Sequence, residues 1–130
     1  MASTLKINTL TGVTTAGSIA VTGEGNSTTT NLQNGLCKAF VLASDAAVVA
    51  DSLNISGSTD NATGDYSYTY TNNMRASNTY AANFALLENN AGCCYQRTVD
   101  ADQVRTDVIN GDGSANRDRQ HGGAIHGDLA

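Results

Sequence analysis

The sequence predicts an all-β fold, a small antiparallel β-sandwich-like domain over residues 35–130 behind an extended N-terminal arm over residues 1–34. Three observations predict it. Thr, Asn, Gly and Ser are abundant while charged residues make up only 15% of the chain, too few for ordinary disorder, which couples low hydrophobicity to high net charge. Thr fits the pleated surface of a strand, and Asn and Gly tolerate the backbone angles of tight turns. Short runs of alternating apolar and polar residues recur with turn residues between them, as in a sandwich or small barrel of roughly six to eight strands. With 130 residues the chain has room for one domain, and with 5% aromatic residues and no Trp its core is thin, so association between copies is expected.

The arm holds two brief alternating runs. "TLKINTL" places Leu5, Ile7 and Thr9 on one face, "GSIAVTG" does the same for Ile19 and Val21, and "GEGNSTTTNLQNG" (23–35) reads as a loop. From Leu36 the character changes. "KAFVLA" and "AVVADSLNIS" read as strands broken at Ser44-Asp45. A helix over 43–52 is the competing reading, set aside because Val48, Val49 and Ile55 are β-branched and turn residues flank the segment. "STDNATGD" (58–65) reads as a turn joining the preceding strand to "YSYTYTN" in an antiparallel hairpin with a long loop. That second strand places Tyr66, Tyr68 and Tyr70 on one face and Ser67, Thr69 and Thr71 on the other. "SNTYAANFALLEN" alternates Tyr80, Ala82, Phe84 and Leu86. "CCYQRTVDADQVRTDVIN" sets Tyr95, Arg97 and Val99, then Val104, Thr106 and Val108, around the turn "DAD". A glycine-rich loop and a short strand near 124–129 close the pattern.

Little in this inventory supports catalysis. Seven basic against twelve acidic residues give a net charge of −5, which disfavours nucleic acid and anionic membranes as partners. No apolar run approaches the roughly 18 residues of a membrane span. The first ten residues lack the basic start and apolar block of a secretory signal, so synthesis and folding in a cytoplasm are expected. His121 and His126 are the chain's only histidines and have no nucleophile signature beside a candidate Ser. One chain supplies too few imidazoles for a zinc site, and although one His from each chain of a trimer could meet at the three-fold axis, both read as solvent-facing or incidental, so no metal, cofactor or enzymatic activity is expected. "DAD" and "NGDGSANRD" lack the ligand spacing of a calcium loop and read as turns. Cys37, Cys93 and Cys94 have neither disulfide-scaffold nor metal spacing and read as small buried hydrophobes. The tyrosine row leaves two readings open. It is half of a sandwich core or a subunit interface, or else Tyr66, Tyr68 and Tyr70 are platforms on which glycan rings stack.

A resemblance adds to this reading. The opening "MASTLKINTLTG" is similar to the start of many phage tail-fibre proteins. Gly35, Leu36, Lys38, Ala39 and Phe40, then Asp51 to Asn54, then Thr59, Asp60, Asn61, Thr63, Gly64, Asp65 and Tyr66, resemble a module of tail-fibre and related virion proteins of marine phages. The closing "HGDLA" is similar as well. The resemblance spans nearly the whole chain and is strongest over residues 1–74. It implies a non-enzymatic, β-rich virion protein without cofactors, a homotrimer whose N-terminal arm attaches it to other tail or capsid proteins. A short tail fibre or appendage, a capsid-decorating cement or head-fibre protein, and a module that binds host surface glycans are the three forms it would take.

Overall fold

A computed structural model describes residues 5–12, 19–22, 29–88, 92–127 and 129. The chain divides after Gly35 into two units. In the first, residues 5–10 lie exposed without a strand, so the alternation of "LKINTL" does not become one. An isolated run of this length buries nothing, and strand geometry holds only when a ladder satisfies its backbone. Residues of the expected 23–35 loop instead form β2 (Thr29–Asn31), antiparallel to β1 (Ala20–Thr22), followed by a single helical turn, α1 (Leu32–Gly35). The rest of that loop, residues 23–28, lies outside the described residues.

The second unit is all-β, two four-stranded antiparallel sheets packed face to face. Its strands are β3 (Cys37–Ala43), β4 (Val49–Leu53), β5 (Ile55–Ala62), β6 (Asp65–Tyr70), β7 (Ala81–Leu86), β8 (Gly92–Val99), β9 (Gln103–Asn110) and β10 (His121–His126). Sheet one has the order β4-β3-β10-β7 and sheet two β5-β6-β9-β8. The β4–β5, β6–β7, β7–β8 and β9–β10 connections pass from one sheet to the other. Period-two patterning explains the core, because Ala39, Val41, Ala43 and Ile125 point inward from sheet one and Tyr66, Tyr68, Tyr70, Val104 and Val108 from sheet two.

Several boundaries differ from the sequence reading, each for a local reason. "AVVADSLNIS" is two strands in different sheets, divided at Asn54, which has φ 58°. Asn tolerates this left-handed conformation, and here its side chain also fixes the corner. Asn54 Nδ2 donates to the Asn72 carbonyl at 2.9 Å, and Asn54 Oδ1 accepts from the Asn72 N–H at 2.7 Å. "STDNATGD" is mostly strand, since β5 runs to Ala62 and the hairpin closes through Thr63-Gly64, with Gly64 at φ 67°. A bulge between Asp60 and Ala62 absorbs the extra residue. A second bulge between Gln96 and Thr98 breaks the face shared by Tyr95, Arg97 and Val99, leaving Val99 in the core and Tyr95 exposed. The last strand begins at His121, earlier than 124, because Gly122 and Gly123 pair on both sides with β3 and β7. The Phe84 ring lies against Gly123, where a Cβ would come within 2.7 Å of three ring carbons, so glycine there lets the aromatic cover the strand.

Candidate functional site

The tyrosine row of β6 is the ridge that joins the two sheets. Tyr66 stacks at 4.3 Å on His121, Tyr68 lies over Phe84 at 6.2 Å, and Tyr70 meets Tyr80 edge-on at 5.9 Å. All three are covered by the chain's own opposite sheet. As platforms for glycan stacking they are therefore corrected, since a ring buried between sheets offers no face to a sugar.

His121 is a further correction. It is fully buried, its Nδ1–H donating to the Arg119 carbonyl at 2.7 Å and its Nε2 accepting from the Tyr68 hydroxyl at 2.6 Å. The Arg119 carbonyl can only accept, which puts a proton on Nδ1, and because burial disfavours the charged form Nε2 is the acceptor for the Tyr68 hydroxyl. His126 is partly exposed at the far end of the same strand, five residues away and so on the opposite side, which keeps the two imidazoles apart. Among the described residues no three His, Cys, Asp or Glu side chains gather as a metal site.

Burial holds the His121 pKa below its ordinary value, outweighing the Arg119 carbonyl, which acts the other way. The unfolded chain then binds the extra proton first. Stability is full above pH ~6.5 and falls as the pH drops below it, by up to about 1.4 kcal/mol per unit. Urea midpoints between pH 7.5 and 5 are expected to fall in the wild type and to stay flatter in His121→Gln. A wild-type midpoint that does not move would refute this.

Among the described residues, the Tyr70 hydroxyl is the buried side-chain polar atom with no hydrogen-bond partner. Tyr80, which meets it edge-on, commits its hydroxyl to the Asp100 and Gln103 carbonyls at 2.7 and 2.9 Å. Tyr70→Phe is expected to be neutral or to stabilise by up to about 1 kcal/mol, because it removes only an unpaired polar atom. Thermal unfolding checks this, and a clear loss of stability would show that the hydroxyl is satisfied.

Asn61, Gly64, Asp65 and Tyr66 meet in one structural device. Gly64 closes the β5–β6 hairpin, its N–H donating to Asp118 Oδ1 at 2.6 Å and its carbonyl accepting from the Val108 N–H at 2.7 Å. Tyr66 Oη donates to the Asp45 carbonyl at 2.8 Å and also lies 3.1 Å from Asp118 Oδ1. Asp65, next in the chain, is buried on the outer side of sheet two. It accepts from Arg105 Nε at 2.6 Å and from the second arm of the same guanidinium, and from Arg97 at 2.8 Å and Asn61 at 3.3 Å. Arg97 also reaches Asp107 at 3.3 Å. The Arg105 guanidinium holds the Asp65 carboxyl below the usual carboxylate range. Sequence reasoning missed this network because its partners stand 32 and 40 residues from Asp65. The available signal was two arginines on strands otherwise read for their apolar residues.

Burial pushes the Cys94 thiol up to about 11, so it is protonated at neutral pH. All three cysteines are free, and Cys93 is exposed, correcting its reading as buried. A shallow depression between β4 and β5 is lined by Val49, Ser52, Ile55, Ser56, Gly57 and Ser58, a set with no titratable side chain.

What stays open is the outer face of sheet one. Opposite the inward Ala39, Val41 and Ala43, strand β3 presents Lys38, Phe40 and Leu42, β4 presents Asp51 and Leu53, β7 presents Ala81, Asn83 and Ala85, and β10 presents Gly122, Ala124 and His126. Leu42, Leu53 and Leu87 are 37%, 47% and 49% exposed, too much for core residues. Leu42 and Leu87 both lean over Gly122, where a Cβ would lie 2.7 and 3.6 Å from them. No protein family, curated protein or solved structure matches this chain.

Proposed function

We propose that this chain is a structural protein of a bacteriophage particle, a short tail fibre or tail appendage that assembles as a homotrimer and attaches through residues 1–34. The observation that carries the reading is the use to which the phage-like residues are put. Asn54, Asn61, Gly64, Asp65 and Tyr66 make the corner, the hairpin, the ion network and the core, and none of them lines a cleft. Residues used in this way fit a protein whose product is shape. The apolar outer face of sheet one supports the same reading, since a sheet face of this composition is normally covered.

Proteomic quantification of separated heads and tails from purified particles tests the proposal. The chain is expected with the tails, in copy numbers divisible by three. Recovery with the heads would make it a capsid-decorating protein, and absence from washed particles would overturn the structural role.

A further inference from the structure

We infer that the outer face of sheet one, centred on Phe40, Leu42, Ala85 and Ala124, is where copies of this chain meet. The inference rests on the homo-oligomeric reading above and assigns it a surface. Charge argues for a second copy as the occupant. Apart from Lys6 and Glu24, all seven basic and twelve acidic residues lie in residues 36–130, so the sandwich carries the chain's whole net charge of −5. Among the described residues facing outward on this sheet, only Lys38 and Asp51 are charged, and they cancel. A second copy, itself acidic, meets least repulsion here, whereas a basic partner would find its complement elsewhere.

Area gives a compatible answer. Four strands about 4.8 Å apart, with five or six residues of about 3.3 Å each, make a face of roughly 350 Å² in projection. Two such faces brought together remove roughly 1,000 Å² of accessible surface, the lower bound of a specific interface. The small side chains at Ala81, Ala85, Gly122 and Ala124 keep the face flat enough for close approach. Two copies paired through this patch close about a two-fold axis, whereas in a trimer each copy would divide the face between its two neighbours.

The test is the solution mass of the full chain and three variants by light scattering across micromolar concentrations. Leu42→Lys and Ala85→Lys place a charge on the face at exposed positions. Thr69→Lys places the same charge on the exposed outer side of sheet two and serves as the control. The wild type and Thr69→Lys are expected to be oligomeric, and the two face variants to dissociate at concentrations roughly tenfold higher or more, with unchanged circular dichroism. Because Ala85 is exposed and small, Ala85→Lys keeps the test valid if Leu42→Lys fails to fold. An oligomeric wild type whose two face variants keep its mass would overturn this surface while leaving the oligomeric reading intact. A monomeric wild type would overturn both.

Discussion

Replacing Gly64 with Ala is expected to destabilise the sandwich by about 3–4 kcal/mol, combining left-handed strain of about 1–2 kcal/mol with overpacking of about 1–3 kcal/mol. The backbone there has φ 67°, and an added Cβ would come within 2.7 Å of the Arg117 amide nitrogen and closer still to the Val108 carbonyl. Both neighbours are backbone, Val108 in the β9 ladder and Arg117 tied to it by its N–H donating to the Val108 carbonyl at 3.0 Å, and neither can swing aside. Gly113 supplies the control. It has nearly the same φ, 71°, with nothing within 4 Å of the added carbon, so Gly113→Ala is expected to cost only the strain, about 1 kcal/mol. Urea denaturation of the two variants separates strain from space. Equal losses would show that the contacts around Gly64 yield.

Arg105→Ala is expected to destabilise the sandwich, and by more than removing its carboxylate partner does. Asp65 is buried while both arginines that reach it are a third to a half exposed, with side-chain exposures of 35% for Arg105 and 46% for Arg97. Deleting the carboxylate therefore lets the guanidinium groups turn to water, whereas deleting Arg105 leaves a buried anion with only Arg97 and Asn61. Those two remaining donors soften the loss. The pH dependence follows from the depressed Asp65 pKa. Its contribution is present above the unfolded carboxylate pKa of ~3.9 and is lost as the pH falls through the lower folded value. Stability measured from pH 6 to 2.5 should fall less steeply below pH 4 in Arg105→Ala than in the wild type. Parallel curves would contradict the assignment.

How much of this was legible in the sequence depends on the range of each interaction. The tyrosine strand was, because alternation is local and a one-residue slip would turn Tyr66, Tyr68 and Tyr70 out to water. The sandwich class followed from the same periodicity. Strand ends were less legible wherever an exposed polar run had to be assigned. Ser58–Ala62 have turn-like composition yet form an edge strand, because their backbone pairs with β6 while their side chains face solvent. The bulge at Gln96–Thr98 is invisible to a period-two reading, which carries Tyr95 and Val99 onto one face. His121 was misplaced for a different reason. Two glycines follow it and suggest a loop, but they serve as small residues in a central strand, one beneath Phe84 and one beneath Leu42 and Leu87. The charged network needed tertiary proximity, which no local pattern encodes. The apolar face of sheet one was half legible, since Phe40, Leu42 and Leu53 were seen as strand residues but not as a group left uncovered on one side.

The assembly reading depends on one quantity above all, the mass of the unmodified chain in solution. Light scattering at micromolar concentration should give a multiple of the 13.4 kDa chain mass, and three times that mass if the trimer is the resting form. The value should hold or rise at high salt, because the proposed contact is apolar and salt screens the repulsion between acidic copies. A mass of 13.4 kDa that persists at tens of micromolar would contradict it.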